Sequence, residues 1–131
     1  MIKWRTSKIN WHDADSEPAS FDDIIDKHKG ETCVISLHGP SLEPYIEKIQ
    51  ELQRDNKITR FSVNEWFDYF EEKPDYWVVS NTEFNIRDSI LNENIWKLRK
   101  YPVDVFNTYK VPLFYNKAAD LTDPSFVDDN L

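Results

Sequence analysis

Glycine is scarce in this chain: among 131 residues there are two, Gly30 and Gly39. In a chain so poor in glycine, the placement of Gly39 directly between an apolar run and an amphipathic run is informative, since a glycine there allows a sharp turn. Cysteine is scarcer still. The single Cys33 has no partner for an intrachain disulfide, which argues against a disulfide-stapled secreted scaffold and for a reducing, cytoplasmic setting. Because Cys33 sits inside an apolar run, it reads as a small buried core residue. Basic residues are also short, with 16 Lys and Arg against 24 Asp and Glu, a net charge of −8 and a pI near 4.8. A nucleic-acid backbone needs a concentrated basic face, so that balance argues against one as partner. No apolar run approaches the ~18–20 residues required to span a bilayer, and no basic stretch followed by an apolar one opens the chain.

What is present is apolar and aromatic. Hydrophobic residues make up 40% and aromatics 15%, with five Trp, six Tyr and eight Phe, enough for a ring-rich core in a single domain. Three segments are expected. Residues 1–19 form an N-terminal arm that pins Trp4, Ile9 and Trp11 onto the domain, residues 20–117 are the domain, and 118–131 are an acidic tail.

Within the domain, Ser20 and Asp23 resemble a capping box and Gly30 a C-terminal stop, predicting a short helix over 21–29. Thr32–Leu37 is short, apolar and β-branched, as expected of a strand covered on both faces. After the Gly39 turn, Leu42, Tyr45, Ile46, Ile49 and Leu52 fall at helical spacing. Ile58–Val63 reads as a second strand, Trp66–Phe70 as an aromatic turn and Tyr76–Ser80 as a third strand. Residues 86–100 read as a helix, Val103–Phe106 as a fourth strand and Val111–Tyr115 as a fifth. This alternation predicts an α/β fold: a Rossmann-like three-layer sandwich, with a mostly parallel sheet of four to five strands and helices on both faces.

In such sheets ligands bind beyond the carboxyl ends of the strands, where strand order reverses. The residues after each predicted strand are His38, Gly39, Pro40 and Ser41, then Asn64, then Ser80, Asn81 and Glu83, then Asn107 and Thr108. Gly39 offers either positive φ and close approach to an anion, or close strand–helix packing. Ser41 is a natural N-cap with Pro40 before it. The Asn64 and Asn81 amides offer donors and acceptors to a phosphate, ribose or base edge. His38 and Glu83 are the acid–base candidates. His12, Asp13 and Asp15 have ligand chemistry without metal spacing, and no metal site is assigned. No Lys or Arg stands at the strand ends, and neither a dinucleotide fingerprint nor a P-loop is present.

The run Gly30–Leu42, with His38-Gly39-Pro40-Ser41-Leu42 at its end, resembles the strand and "GNGPSL" loop of two related groups. These are the bacterial sialyltransferases that use a CMP-sugar and the 6-hydroxymethylpterin diphosphokinase-like proteins associated with glycan biosynthesis. Phe61-Ser62-Val63-Asn64 and Pro74-Asp75-Tyr76-Trp77-Val78-Val79-Ser80-Asn81 resemble their next two strands. His38 stands where the family prefers Asn, and Leu37 where Gly is usual. The resemblance implies nucleotide contacts at His38, Gly39, Pro40, Ser41, Asn64 and Asn81, and a partial, glycosyltransferase-related domain that takes a nucleotide or nucleotide-sugar. One alternative is a metal-dependent diphosphokinase-like enzyme using Mg²⁺ or Mn²⁺ held by Glu83 and Asp75. The other is a non-catalytic interaction module that docks a partner through exposed Trp and Phe.

Overall fold

The apolar runs around 33–36, 59–63, 76–79 and 113–115 assemble into one sheet. The computed structural model describes residues 2–9, 11–37, 39–80, 83–89 and 102–115, with 2–8 and 83–89 described by their backbone alone. Its elements are β1 (Ile2–Lys8), β2 (Cys33–Ser36), α1 (Ile46–Arg54), β3 (Thr59–Val63), β4 (Tyr76–Val79), β5 (Glu83–Ser89), α2 (Pro102–Tyr109) and β6 (Leu113–Tyr115). Strands β2-β3-β4-β6 form a four-stranded sheet in that order, every pairing parallel. β1 and β5 form a separate antiparallel pair, Ile2 opposite Ser89 and Lys8 opposite Glu83. Among the described residues, no helix is long and apolar enough to cross a membrane.

Sheet order follows chain order, so the described strands contain no reversal point. With right-handed crossovers, this order carries every connection to the same face. The core agrees: Ile46 and Ile49 of α1 and Val103, Val105 and Phe106 of α2 join one cluster with Trp77, Val79 and Leu113. Side chains alternate along a strand, and the register puts Ser36, Ser62, Trp77 and Leu113 on this helix-covered face. On the opposite face, Phe61 stacks on Tyr76 at 4.7 Å, and Phe21 stacks on Phe114 at 4.9 Å. Residues 20–31 cover that face in part, and no described α-helix lies there. The α/β class with a parallel sheet therefore stands, whereas the described residues supply helices to one face only.

Several expected elements differ. The capping box at Ser20 forms, with Ser20 Oγ accepting from Asp22 N at 3.2 Å and Asp23 Oδ2 from Ser20 N at 3.2 Å. It starts only a three-residue 3-10 turn, Phe21–Asp23, and the chain then runs through turns to Gly30. Val103–Phe106 is not a strand; it lies in α2. Pro102, Val105, Phe106 and Tyr109 recur at i, i+3, i+4 and i+7, so the helical stripe overrides the β-branched composition. Of the predicted helix 86–100, residues 86–89 belong to β5, paired with the arm, and 90–100 lie outside the described residues. Cys33 is exposed, not buried, because β2 is an edge strand of the sheet; Ile35 beside it is 67% exposed.

Trp77 centres the core. It is fully buried, and the rings of Trp11 (6.2 Å, 77°), Trp66 (6.2 Å, 90°) and Phe67 (6.0 Å, 83°) meet it edge-on. Trp11 also stacks on Tyr115 at 5.5 Å, and Ile9 is 1% exposed, so the end of the arm is part of this core. Asn107 of α2 brackets the arm: its Oδ1 accepts from Asp15 N at 2.7 Å and its Nδ2 donates to Asp13 O at 3.1 Å. The connection between β3 and β4 is bolted to α1 by Gln50, whose Oε1 accepts from Glu71 N (3.1 Å) and Glu72 N (3.0 Å).

Among the described residues, one charged side chain is fully buried. The Arg60 guanidinium lies 4.1 Å from the Phe70 ring centroid and donates to Glu72 O at 2.6 Å. Burial pushes it down to about 10, opposed by Asp75 and Glu72, so it remains charged at neutral pH. Removing the central ring should outweigh any surface change. Trp77→Ala is expected to cost about 3–5 kcal/mol, whereas Phe21→Ala, at a 71% exposed ring, should cost about 1 kcal/mol or less. Urea unfolding of the two variants against the parent measures the difference.

Candidate functional site

Two edges of the sheet carry polar groups, and they differ in chemistry. At the carboxyl edge, β2 ends at Ser36 and β3 at Val63, and the cross-strand pair Ser36 Oγ–Ser62 Oγ at 2.6 Å ties the two ends together inside the protein. Beyond β2 the chain turns at Gly39, with φ +150°; no atom lies within 4 Å of where a Cβ would sit. The glycine is therefore required by backbone conformation, and close strand–helix packing is not its reason. Beyond β3, Asn64 takes the left-handed conformation at φ 57°.

The Gly39 turn leads into a six-residue 3-10 helix, Pro40–Tyr45, before α1 begins. Its N-cap is Gly39, with Pro40 first, and no side chain caps it, so Ser41 does not play the capping role its residue type suggested. A 3-10 helix this short offers little dipole, and any anion here would rest on the turn's own amides. Ser41 instead lines a cavity of about 330 Å³ with Leu37, Leu42, Tyr45 and Ile49. This slot is mostly apolar, and the Tyr45 ring is 63% exposed beside it.

Asn64 is heavily used by the fold. Its Oδ1 accepts from Ser80 N at 3.0 Å, its N–H donates to Val78 O at 2.8 Å, and its carbonyl accepts from Trp77 Nε1 at 2.7 Å. The side chain thus clamps the ends of β3 and β4 together, leaving Nδ2 as its free donor among the described residues. His38 and Asn81 lie outside the described residues. Glu83 opens β5 opposite Lys8, in a strand where a loop was expected. Asn107 and Thr108 are in α2 and not at a strand end; the Thr108 hydroxyl donates to Asp104 O at 2.7 Å. Asp75, the other proposed cation ligand, precedes β4 at the amino edge, where its Oδ2 accepts from Arg60 N at 2.9 Å. Among the described residues, no group of three or more His, Cys, Asp or Glu is placed to hold a metal ion.

The amino edge holds residues that sequence reasoning passed over. His28 Nδ1 lies 2.7 Å from Glu31 Oε2, and His28 Nε2 lies 2.6 Å from the Tyr76 hydroxyl. Thr59 Oγ1 also donates to Glu31 Oε2 at 3.2 Å. With Glu31 ionised, Nδ1–H is the donor toward it, and Nε2 then accepts the Tyr76 proton. This carboxylate–imidazole–phenol chain borders a cavity of about 680 Å³ that Lys27, Lys57 and Asp75 also line. The His-x-x-Glu spacing at 28 and 31 was a visible signal. Its third member, 48 residues on, could be found only once β4 was placed.

The chain gave no match to protein-family models, to curated proteins or to solved structures.

Two outcomes test these assignments. Asn64→Ala should destabilise by about 1–2 kcal/mol, through the lost Ser80 clamp and the strained φ. Asn64→Gly, which keeps the turn and loses only the clamp, should be the more stable of the two in urea unfolding. The Glu31 carboxyl is held below its ordinary value, chiefly by the hydrogen bond from His28 and then by that from Thr59. A depressed acid stabilises the fold above its unfolded-state value and loses that contribution as pH falls through its folded one. Glu31→Gln should therefore lower Tm at neutral pH. Thermal melts across a pH series should show the deficit closing below the ordinary glutamate range, where the parent carboxyl is protonated too.

Proposed function

We propose that this domain binds a nucleotide or nucleotide-sugar at the carboxyl edge of its parallel sheet, as a partial, glycosyltransferase-related module. The observation that carries this reading is the Gly39 turn. It is held at a φ that disfavours a side chain, at the end of a parallel strand, and it opens beside the cavity lined by Ser41, Leu37 and Tyr45. Backbone amides of a turn suit phosphate oxygens, an apolar slot with an exposed tyrosine suits a base, and the Ser41 hydroxyl suits a sugar. His38, Gly39, Pro40, Ser41 and the free Nδ2 of Asn64 are the groups assigned to it, with Asn81 the next strand-end amide along the chain. The resemblance of His38–Leu42 to the sialyltransferase loop supports the same class of ligand.

Binding is the whole of the assignment. The diphosphokinase alternative takes Asp75 as a cation ligand additional to Glu83, and Asp75 lies at the amino edge with one oxygen on the Arg60 amide. No second reading is favoured over nucleotide binding by a specific observation.

A thermal-shift screen with CMP, CDP, UDP, GTP and ATP, each with and without Mg²⁺ and Mn²⁺, tests the reading. A ligand at a hundredfold excess over Kd adds about 2.7 kcal/mol, several degrees in Tm for a domain of this size. The expected result is stabilisation by a cytidine nucleotide without metal, reduced in Ser41→Ala and lost in Gly39→Ala. A flat response to all five nucleotides would remove the reading.

A further inference from the structure

The charged groups lining the amino-edge cavity differ in what they are bonded to. Glu31 is engaged by His28 and Thr59, and Asp75 by the Arg60 amide. The two remaining charges on its wall are the ammonium groups of Lys27 and Lys57. Neither has an acidic partner within ion-pair distance among the described residues. In a chain with 24 acidic and 16 basic residues, a wall whose two unpaired lysines balance its two hydrogen-bonded carboxylates is locally less acidic than the whole.

We propose that this cavity is a binding site for a small phosphomonoester. A phosphomonoester carries between one and two negative charges at neutral pH, which two lysines match. The cavity, about 680 Å³, exceeds what a bare phosphate fills and falls within the range of sites for small organic ligands. The Glu31–His28–Tyr76 chain forms the polar wall beside the lysines. Glu31 fixes the Nδ1–H tautomer, and Tyr76 anchors Nε2 to the sheet, so the imidazole is held rigidly at the rim. His28 and Tyr76 thus position the site, while Lys27 and Lys57 bind. The groups facing His28 are Glu31 on its own segment, Thr59 on β3 and Tyr76 on β4, with Lys27, Lys57 and Asp75 around the cavity. The site lies at the opposite end of the strands from the Gly39 turn and does not depend on the nucleotide reading.

The chain's three histidines make the test direct. His28 reports on this cavity, His38 on the Gly39 turn, and His12 on the arm. Inorganic phosphate, and separately glycerol phosphate, is titrated into the whole protein at fixed pH and ionic strength while the histidine ring resonances are followed by NMR. The expected result is a saturable shift of the His28 resonances with His12 unmoved, tighter for glycerol phosphate than for phosphate. Lys27→Ala and Lys57→Ala, both at exposed positions, should each weaken binding roughly tenfold. The proposal is overturned by a His28 resonance that does not move. It is equally overturned by a shift that chloride at equal ionic strength reproduces, by lysine variants that bind as the parent does, or by a saturable shift at His38 alone, which would place the anion at the carboxyl edge.

Discussion

The burial of one indole organises this structure. Trp77 stands on β4, a central strand of the parallel sheet, and four parts of the chain converge on it or on its immediate neighbours: the arm through Trp11, the β3–β4 connection through Trp66 and Phe67, α2 through Phe106, and β6 through Leu113. Edge-to-face packing places the positive rim of one ring against the negative face of the next, so these contacts are directional as well as apolar. The indole N–H would be costly to leave unpaired in such a core, and it is satisfied by the Asn64 carbonyl. That bond ties the core to the carboxyl edge. The same residue that shapes the β3 exit toward the candidate nucleotide site is held by the central tryptophan.

Alternation along β4 divides the molecule. Trp77 faces the helices; Tyr76, one residue earlier, faces the segment 20–31. On that second face the stabilising contacts include Tyr76 with Phe61 and Phe114, Phe21 with Phe114, and His28 with the Tyr76 hydroxyl. It is thinner, and exposed Ile35 and Phe21 mark its margin. The two ends of the same strands then carry opposite chemistry. Among the described residues, the carboxyl edge has a glycine turn and an apolar slot lined by no Lys or Arg, and the amino edge has an imidazole bonded to a carboxylate and a phenol, with two unpaired lysines. A single sheet thus separates the two cavities by the length of its strands.

The strands were the most readable part of the chain because each is a compact apolar run, and four of them lie close to where their composition put them. Asn64 was correctly marked as a strand-end residue, but its oxygen serves Ser80, since a left-handed Asn at a strand end can bond its neighbour as well as a ligand. Val103–Phe106 misled because Val-Asp-Val-Phe satisfies both a period of two and part of a helical stripe. Only the burial of Pro102 on one side and the packing of half-buried Tyr109 against the core on the other resolve the choice in favour of a helix. Glu83–Ser89 misled because its partner is the arm, more than seventy residues earlier, and strand pairing at that distance leaves no local trace.

By itself the sequence determined the α/β class, the ring-rich core and the two places where the backbone needs glycine, since these follow from composition and from spacing within short windows. The capping box at Ser20 belongs to the same class of local facts. Tertiary structure alone decided that Cys33 and Ile35 lie on an open edge, that the described strands run in unreversed order, and that His28 meets Tyr76. Each of these depends on which strand lies beside which, and long-range pairing is set by the burial of Trp77 and its neighbours rather than by any residue's own preference.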